Sequence, residues 1–87
     1  MHRTAVVILN WNGSVHLRRF LPSVVANTPE GVRIIVADNG STDDSVDVLK
    51  QEFPSVEILH LGRNYGFAEG YNRALEQIDA EYCVLLN

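Results

Sequence analysis

The sequence predicts an open, doubly wound, Rossmann-like α/β sheet whose elements follow the order βαβαβαβ. Three observations predict it. Four apolar runs, Ala5 to Leu9, Val32 to Ala37, Val56 to Leu61 and Tyr82 to Leu86, have strand length. The stretches between them repeat apolar residues at helical spacing. The second run breaks off in a polar turn, IIVADNGSTDD from Ile34 to Asp44, where Asn39-Gly40 tolerates positive φ and Ser41-x-x-Asp44 resembles a capping box.

Taken in order, Ala5 to Leu9 is a β-branched run suited to a strand buried on both faces. Asn10 to Gly13 is a turn, with Ser14 as the expected N-cap. Val15, Leu17, Phe20, Leu21, Val24 and Val25 then form one apolar stripe, which Pro22 should kink or break. After the loop Asn27 to Gly31 comes the second strand. A helix from Thr42 or Asp43 to Phe53 should bury Val46, Leu49 and Phe53, with Asp43 and Asp44 as first-turn acids matched to its dipole, and Pro54 ends it. Val56 to Leu61 alternates, setting Val56, Ile58 and His60 against Glu57 and Leu59, as suits a sheet edge. The third helix, Gly66 to Ile78, has the cleanest period, in Phe67, Tyr71, Ala74, Leu75 and Ile78. Tyr82 to Leu86 reads as another buried-type strand.

Helical crossovers of this length force parallel pairing. The doubly wound strand order 3-2-1-4 puts strands one and four side by side, where the winding reverses and where such sheets bind ligands. That crevice is bounded by Asn10 to Gly13 and by whatever follows Asn87, with Asp38 to Thr42 beside it. A full domain of this class continues past a fourth strand, so the sheet reads as truncated there. Its open edge would be a template for a homo-oligomer.

The totals narrow the function. Eighty-seven residues make one small domain, 1–87, expected to bury roughly 60–65% of its unfolded surface. A hydrophobic content of 46% with 21% charged residues is globular rather than disordered. Net charge −4, with no basic cluster, disfavours nucleic acid and membrane surfaces as partners. The lone Cys83 excludes an internal disulfide and reads as a structural thiol. His2, His16 and His60 lack ligand spacing, so no metal is assigned to them. No run approaches the ~20 apolar residues of a membrane span or the apolar core of a signal peptide, and cytoplasmic residence is the default expectation.

The chemistry should lie at the strand ends. A dinucleotide fold wants G-x-G-x-x-G after the first strand, whereas Asn10-Trp11-Asn12-Gly13-Ser14 holds one glycine. That argues against an oxidoreductase fragment. Trp11 suits a flat nucleobase, or else fills a gap over the first helix. Asp38 and Asn39 can accept from an imide N–H or a ribose hydroxyl, or else they serve as turn and cap. Arg63 is the best cation for a phosphate, or else a solvated charge. Gly66 and Gly70 suggest close packing at a helix start, and Asn72 could bond backbone at the strand ends.

Taken together and in this order, VVILNWNG, VADNGSTDDSV, RNYGFAEGYNRALE and YCVLLN resemble the N-terminal half of a family 2 glycosyltransferase with the GT-A fold. The similarity is strongest to the branch that includes rhamnosyltransferases of cell-surface polysaccharide synthesis. The resemblance implies inverting transfer of a sugar from a nucleotide-diphosphate donor, UDP- or dTDP-linked, to a glycan or lipid-linked acceptor. It implies a nucleotide-binding set of Asn10, Trp11, Asn12, Asp38, Asn39, Arg63, Gly66 and Asn72. Many relatives carry Asp where Asn39 stands. The family's metal motif, catalytic base and acceptor pocket are expected beyond Asn87. A full-length enzyme would therefore use a divalent cation (Mg or Mn) whose ligands are not in this chain, and would be cytoplasmic or membrane-peripheral. This chain alone is expected to bind a nucleotide weakly and transfer nothing. The competing reading is a non-catalytic α/β module that self-associates through its open edge.

Overall fold

The computed structural model describes residues 3–86. His2 and the chain following Leu86 lie outside the described residues. Seven elements alternate as expected: β1 (Thr4–Asn10), α1 (Ser14–Asn27), β2 (Arg33–Asp38), α2 (Ser45–Glu52), β3 (Glu57–His60), α3 (Phe67–Gln77) and β4 (Tyr82–Leu86). The four strands form one parallel sheet in the order β3-β2-β1-β4. The two faces are covered by different helices, as a doubly wound sheet requires.

Strand alternation assigns the core. Ala5, Val7, Ile35 and Ala37 pack with Tyr71 and Ala74 of α3, and Leu9, Leu59 and Cys83 lie against them. The opposite parity, Ile8, Ile34 and Val36, packs with Leu17 and Leu21 of α1 and Leu49 of α2. Leu17, Leu21 and Leu49 are fully buried. Each contributes roughly 1.5–3 kcal/mol of transfer free energy.

Several local expectations change. The α1 helix runs through Pro22 without a break. Ser14 is its first residue, buried on the apolar stripe, and Gly13 is the cap position with no side-chain cap bond. Val15 stands two residues before Leu17, which turns it away from the sheet into solvent. Helix α2 begins at Ser45, so Thr42 and Asp43 precede it, and its buried set is Ser45, Val48 and Leu49 rather than Val46, Leu49 and Phe53. Phe67 follows the α3 period yet is 62% exposed, because it belongs to the helix's first turn, beside the strand ends rather than over the sheet. Tyr82, Val84 and Leu85 are exposed, so β4 is not a buried strand: it is an edge strand of the sheet, paired with β1 among the described residues.

No helix among the described residues is long and apolar enough to cross a membrane.

Candidate nucleotide site at the carboxyl ends of the strands

Register places the chemistry. Asn10 of β1 lies opposite Asp38 of β2, and Asp38 opposite His60 of β3, so the last residues of three strands form one row. Asn10 and Asp38 are buried, and they meet directly. Asn10 Nδ2 donates to Asp38 Oδ1 (3.1 Å) and to Ser41 Oγ (3.2 Å). Asp38 Oδ2 accepts the backbone N–H of Ser41 (3.1 Å).

Beyond that row the loops after β1 and β2 interlock. Asn12, at φ +50°, accepts at Oδ1 from the backbone N–H groups of Thr42 (2.7 Å) and Asp43 (3.1 Å). Its own N–H donates to Ser41 Oγ (2.9 Å). Asp43 Oδ2 accepts from the N–H of Ser14 (3.2 Å), one of the free donors at the start of α1. Asp43 Oδ1 accepts from the N–H and the hydroxyl of Ser45. The expected capping box from Ser41 to Asp44 is thus absent. Ser41 is occupied by Asn10 and Asn12, and Asp43 serves two helix starts at once. Desolvation pushes the Asp43 pKa up, but the hydrogen bonds from Ser45 and Ser14 outweigh it and hold the carboxyl below its usual range.

A second seam joins the loops after β2 and β3, and Asn39 is its centre. This side chain is 2% exposed. Its Nδ2 donates to Asn64 Oδ1 (3.2 Å) and to the carbonyl of Gly66 (3.1 Å), and its Oδ1 accepts the N–H of Tyr65 (3.0 Å). The backbone N–H of Asn39 donates to the Asn10 carbonyl (2.8 Å). Among the described residues no buried side-chain nitrogen or oxygen lacks a partner. The backbone is equally close-fitting. Gly40 has φ +76°, and a Cβ there would stand 2.7 Å from the Arg63 backbone. At Gly70 a Cβ would come within 3.0 Å of Asn39 Nδ2 and 3.1 Å of the Leu9 side chain. These two glycines let the β3–α3 segment close onto the strand ends.

The seams frame a hollow of about 280 Å³ lined by Leu9, Trp11, Asn39, Asn64, Gly66 and Phe67. Trp11, 53% exposed, is also a wall of an adjoining hollow of about 350 Å³, shared with Asn10, His16 and Phe20. Trp11, Asn39 and Gly66 are therefore brought to one place, with Asn10 at its neighbour. Asp38, Asn12, Arg63 and Asn72 line neither hollow. Asp38 stands behind the site and holds Asn10 and Ser41. Arg63 is exposed, 4.8 Å from the Tyr65 ring centroid, while Arg73 lies 4.1 Å from the same ring. Asn72 is exposed on α3. The bonding to strand ends expected of it is made by its neighbour, Tyr71, whose hydroxyl accepts from the Leu9 N–H (3.3 Å) and donates to the Leu86 carbonyl (2.6 Å).

Asn64, Phe67 and Tyr71 were legible only as loop or stripe. The available signal was the tyrosine hydroxyl on an otherwise apolar face, since a buried phenol needs a polar partner. No group of three or more His, Cys, Asp or Glu among the described residues could hold a metal ion. These residues do not fit a divalent cation.

The sequence and the fold are similar to those of known proteins. The model of the glycosyl transferase family 2 domain matches residues 5–87. A Mycobacterium tuberculosis N-acetylglucosaminyl-diphospho-decaprenol L-rhamnosyltransferase is 37% identical over 73 residues, covering 84% of this chain and 24% of that protein. Staphylococcus aureus TarS (residues 1–349), crystallised with UDP, superposes with a TM-score of 0.80 at 20% identity, over 97% of this chain and 26% of that one. Glucosyl-3-phosphoglycerate synthase of Mycobacterium tuberculosis, crystallised with Mn²⁺, UDP and glucosyl-3-phosphoglycerate, gives 0.80 at 20% identity, over 98% and 33%. The chain thus spans about a quarter to a third of these proteins. The match across residues 5–87, the strand order and the superpositions agree: this chain belongs to glycosyl transferase family 2 and has its GT-A fold.

Proposed function

We propose that the hollow between Trp11 and Phe67 receives the pyrimidine base of a nucleotide-diphosphate sugar, UDP- or dTDP-linked, as the donor-binding part of an inverting glycosyltransferase. The single observation that carries this is an aromatic-walled slot, open at the carboxyl ends of β1 and β2, with the buried Asn39 and the exposed Asn64 on its wall. A flat ring can pack against indole and phenyl groups, and the exposed Asn64 amide nitrogen can donate to a ring or ribose oxygen. Arg63 is assigned to the phosphates, since among the described residues it has no carboxylate partner. Asn10, Asn12 and Asp38 act by holding the loops, and Asn72 lies at the rim of α3. Rhamnose as the sugar, and a glycan or lipid-linked acceptor, rest on the similarity to the rhamnosyltransferase. A divalent cation, as in the Mn²⁺ complex of the synthase, would be held by residues other than those described here.

The test is thermal denaturation with ligands at millimolar concentration. UDP or dTDP should raise the melting temperature more than NAD or ATP, and Trp11→Ala should abolish the difference. Equal response to all four removes the pyrimidine assignment. A second reading, self-association through β4, is favoured by exposed Val84 and Leu85 on an outermost strand. Sedimentation showing a monomer at high micromolar concentration removes it.

A further inference from the structure

The amide of Asn10 is used at one end only. Both hydrogens of its Nδ2 are taken, by the Asp38 carboxylate (3.1 Å) and by Ser41 Oγ (3.2 Å). An ionised carboxylate accepts and cannot donate, so this bond fixes which end of the amide points where. Its Oδ1 faces the other way, and among the described residues no group donates to it. Asn10 is only 4% exposed, yet no buried side-chain oxygen among the described residues lacks a partner. The Oδ1 must therefore sit at an opening, as the one free atom of a side chain otherwise withdrawn from water.

Gly13 shows where the opening lies. A Cβ there would stand 2.6 Å from Asn10 Oδ1. With φ −108° the backbone at Gly13 is not left-handed, so conformation does not call for glycine. What the missing side chain supplies is space over the oxygen. Asn10 and Gly13 both line the hollow of about 350 Å³ between β1 and α1. Ile8 and Leu17 are buried at its floor, while Trp11, His16 and Phe20 wall it. A single acceptor oxygen in an apolar, aromatic-walled hollow of this size selects a small ring with apolar faces and hydrogen-bond donors on its edge. A monosaccharide is such a ring, with C–H faces and a rim of hydroxyls. A phosphate or carboxylate is not, because it would set lone pairs against the Asn10 oxygen.

We propose that this hollow is a subsite for one monosaccharide unit of a glycan, with a ring hydroxyl donating to Asn10 Oδ1 and a C–H face against the aromatic wall. This rests on the nucleotide-sugar reading above and adds a second subsite to it. The two hollows share Leu9 and Trp11. In a nucleotide-diphosphate sugar a ribose and two phosphates separate the base from the sugar. A hollow that shares a wall with the base therefore suits a glycan unit rather than the donor's own sugar. Asn10 thus serves twice: its nitrogen holds the loops and its oxygen meets the glycan.

NMR titration of the ¹⁵N-labelled chain tests this, with methyl α-L-rhamnopyranoside and uridine as probes. The glycoside should shift the side-chain resonances of Asn10 and His16, and uridine those of Asn64. Gly13→Ala should weaken the glycoside about fivefold or more, the equivalent of one net hydrogen bond, and leave uridine unchanged. The fully O-methylated glycoside keeps the ring and has no donor, so it should bind the wild type more weakly by a similar factor. That comparison decides if Gly13→Ala does not fold. No shift at Asn10, or equal affinity for the glycoside and its O-methylated form, overturns the subsite while the uridine shifts keep the nucleotide reading standing. Asn64 unmoved by uridine, with Asn10 still shifted by the glycoside, overturns the nucleotide reading alone. Displacement of the glycoside by UDP-glucose but not by UDP gives the hollow to the donor's sugar and overturns the glycan assignment.

Discussion

The two ends of this sheet are tied by polar side chains of very different burial. At the amino end, Arg3 pairs with Asp79 (2.9 Å) and Arg33 with Glu57 (2.7 Å), all with largely exposed side chains. At the carboxyl end, Asn10, Asp38 and Asn39 form their bonds in the interior. Water can replace a broken exposed pair, so each is worth ~0–1 kcal/mol. A buried group left without its partner costs about 1–3 kcal/mol. The difference teaches where the fold holds its loops in place. The carboxyl end, where the hollow lies, is fixed by buried bonds, and the amino end is held by exposed pairs.

The largest break of that contrast is expected at Asn39. Asn39→Asp keeps an acceptor for the Tyr65 N–H but sets a carboxylate against the Gly66 carbonyl and Asn64 Oδ1. Asn64 cannot flip to compensate, because its Oδ1 also accepts the Gly66 N–H (2.8 Å). The variant should lose about 3 kcal/mol in urea unfolding. A loss below that of a surface substitution would show the seam to be dispensable.

Next is Gly40→Ala. Positive φ and the 2.7 Å approach to the Arg63 backbone act together, and a loss of about 1–3 kcal/mol is expected by the same measurement. Unchanged stability would mean that the two loops are not in contact in solution. Asp38→Ala removes the acceptor for Asn10 and Ser41 and should cost about 1–2 kcal/mol of stability. Because Asp38 lines neither hollow, any loss of UDP affinity should track the loosened loops. A large affinity loss without loss of stability would instead assign Asp38 a direct contact.

The smallest effects belong to the exposed carboxylates. Glu57→Gln should change stability by under ~1 kcal/mol, and by less at high salt. Glu57 is held below its usual range chiefly by the hydrogen bond from Arg33, with desolvation opposing and the Arg33 charge assisting. Asp43 is also lowered, so the sign is the same for both. Each binds a proton more weakly folded than unfolded, and stabilises the fold fully above the unfolded value. For Asp43 the advantage over Asp43→Asn should persist above pH 3.8 and fade as pH drops through the lower folded pKa. Unfolding midpoints of the two proteins that stay parallel down to pH 2 would show that Asp43 is unbonded in solution.

Legibility in the sequence followed the range of the physics. Leu17, Leu21 and Val36 were readable as core because periodicity is local and burial follows it. The strand ends at Asn10 and Asp38 were readable because polar, turn-forming residues stop apolar runs. What Ser41 and Asp43 do was not, since capping their own helix and bonding a loop thirty residues away require the same side chains. Phe67 and Val84 looked buried because periodicity reports a face and not whether anything lies opposite it.

By itself, then, the order of apolar periods and polar stops determined seven elements, parallel pairing and the end of the sheet where chemistry belongs, because those follow from local propensity and from crossover length. Only the tertiary structure decided which polar groups are consumed by the fold and which face a ligand. Hydrogen-bond donors and acceptors are assigned by three-dimensional neighbours: Asn39 became a clasp, Asp38 a brace and Tyr71 a tie between Leu9 and Leu86 when strands distant in the chain set their partners beside them.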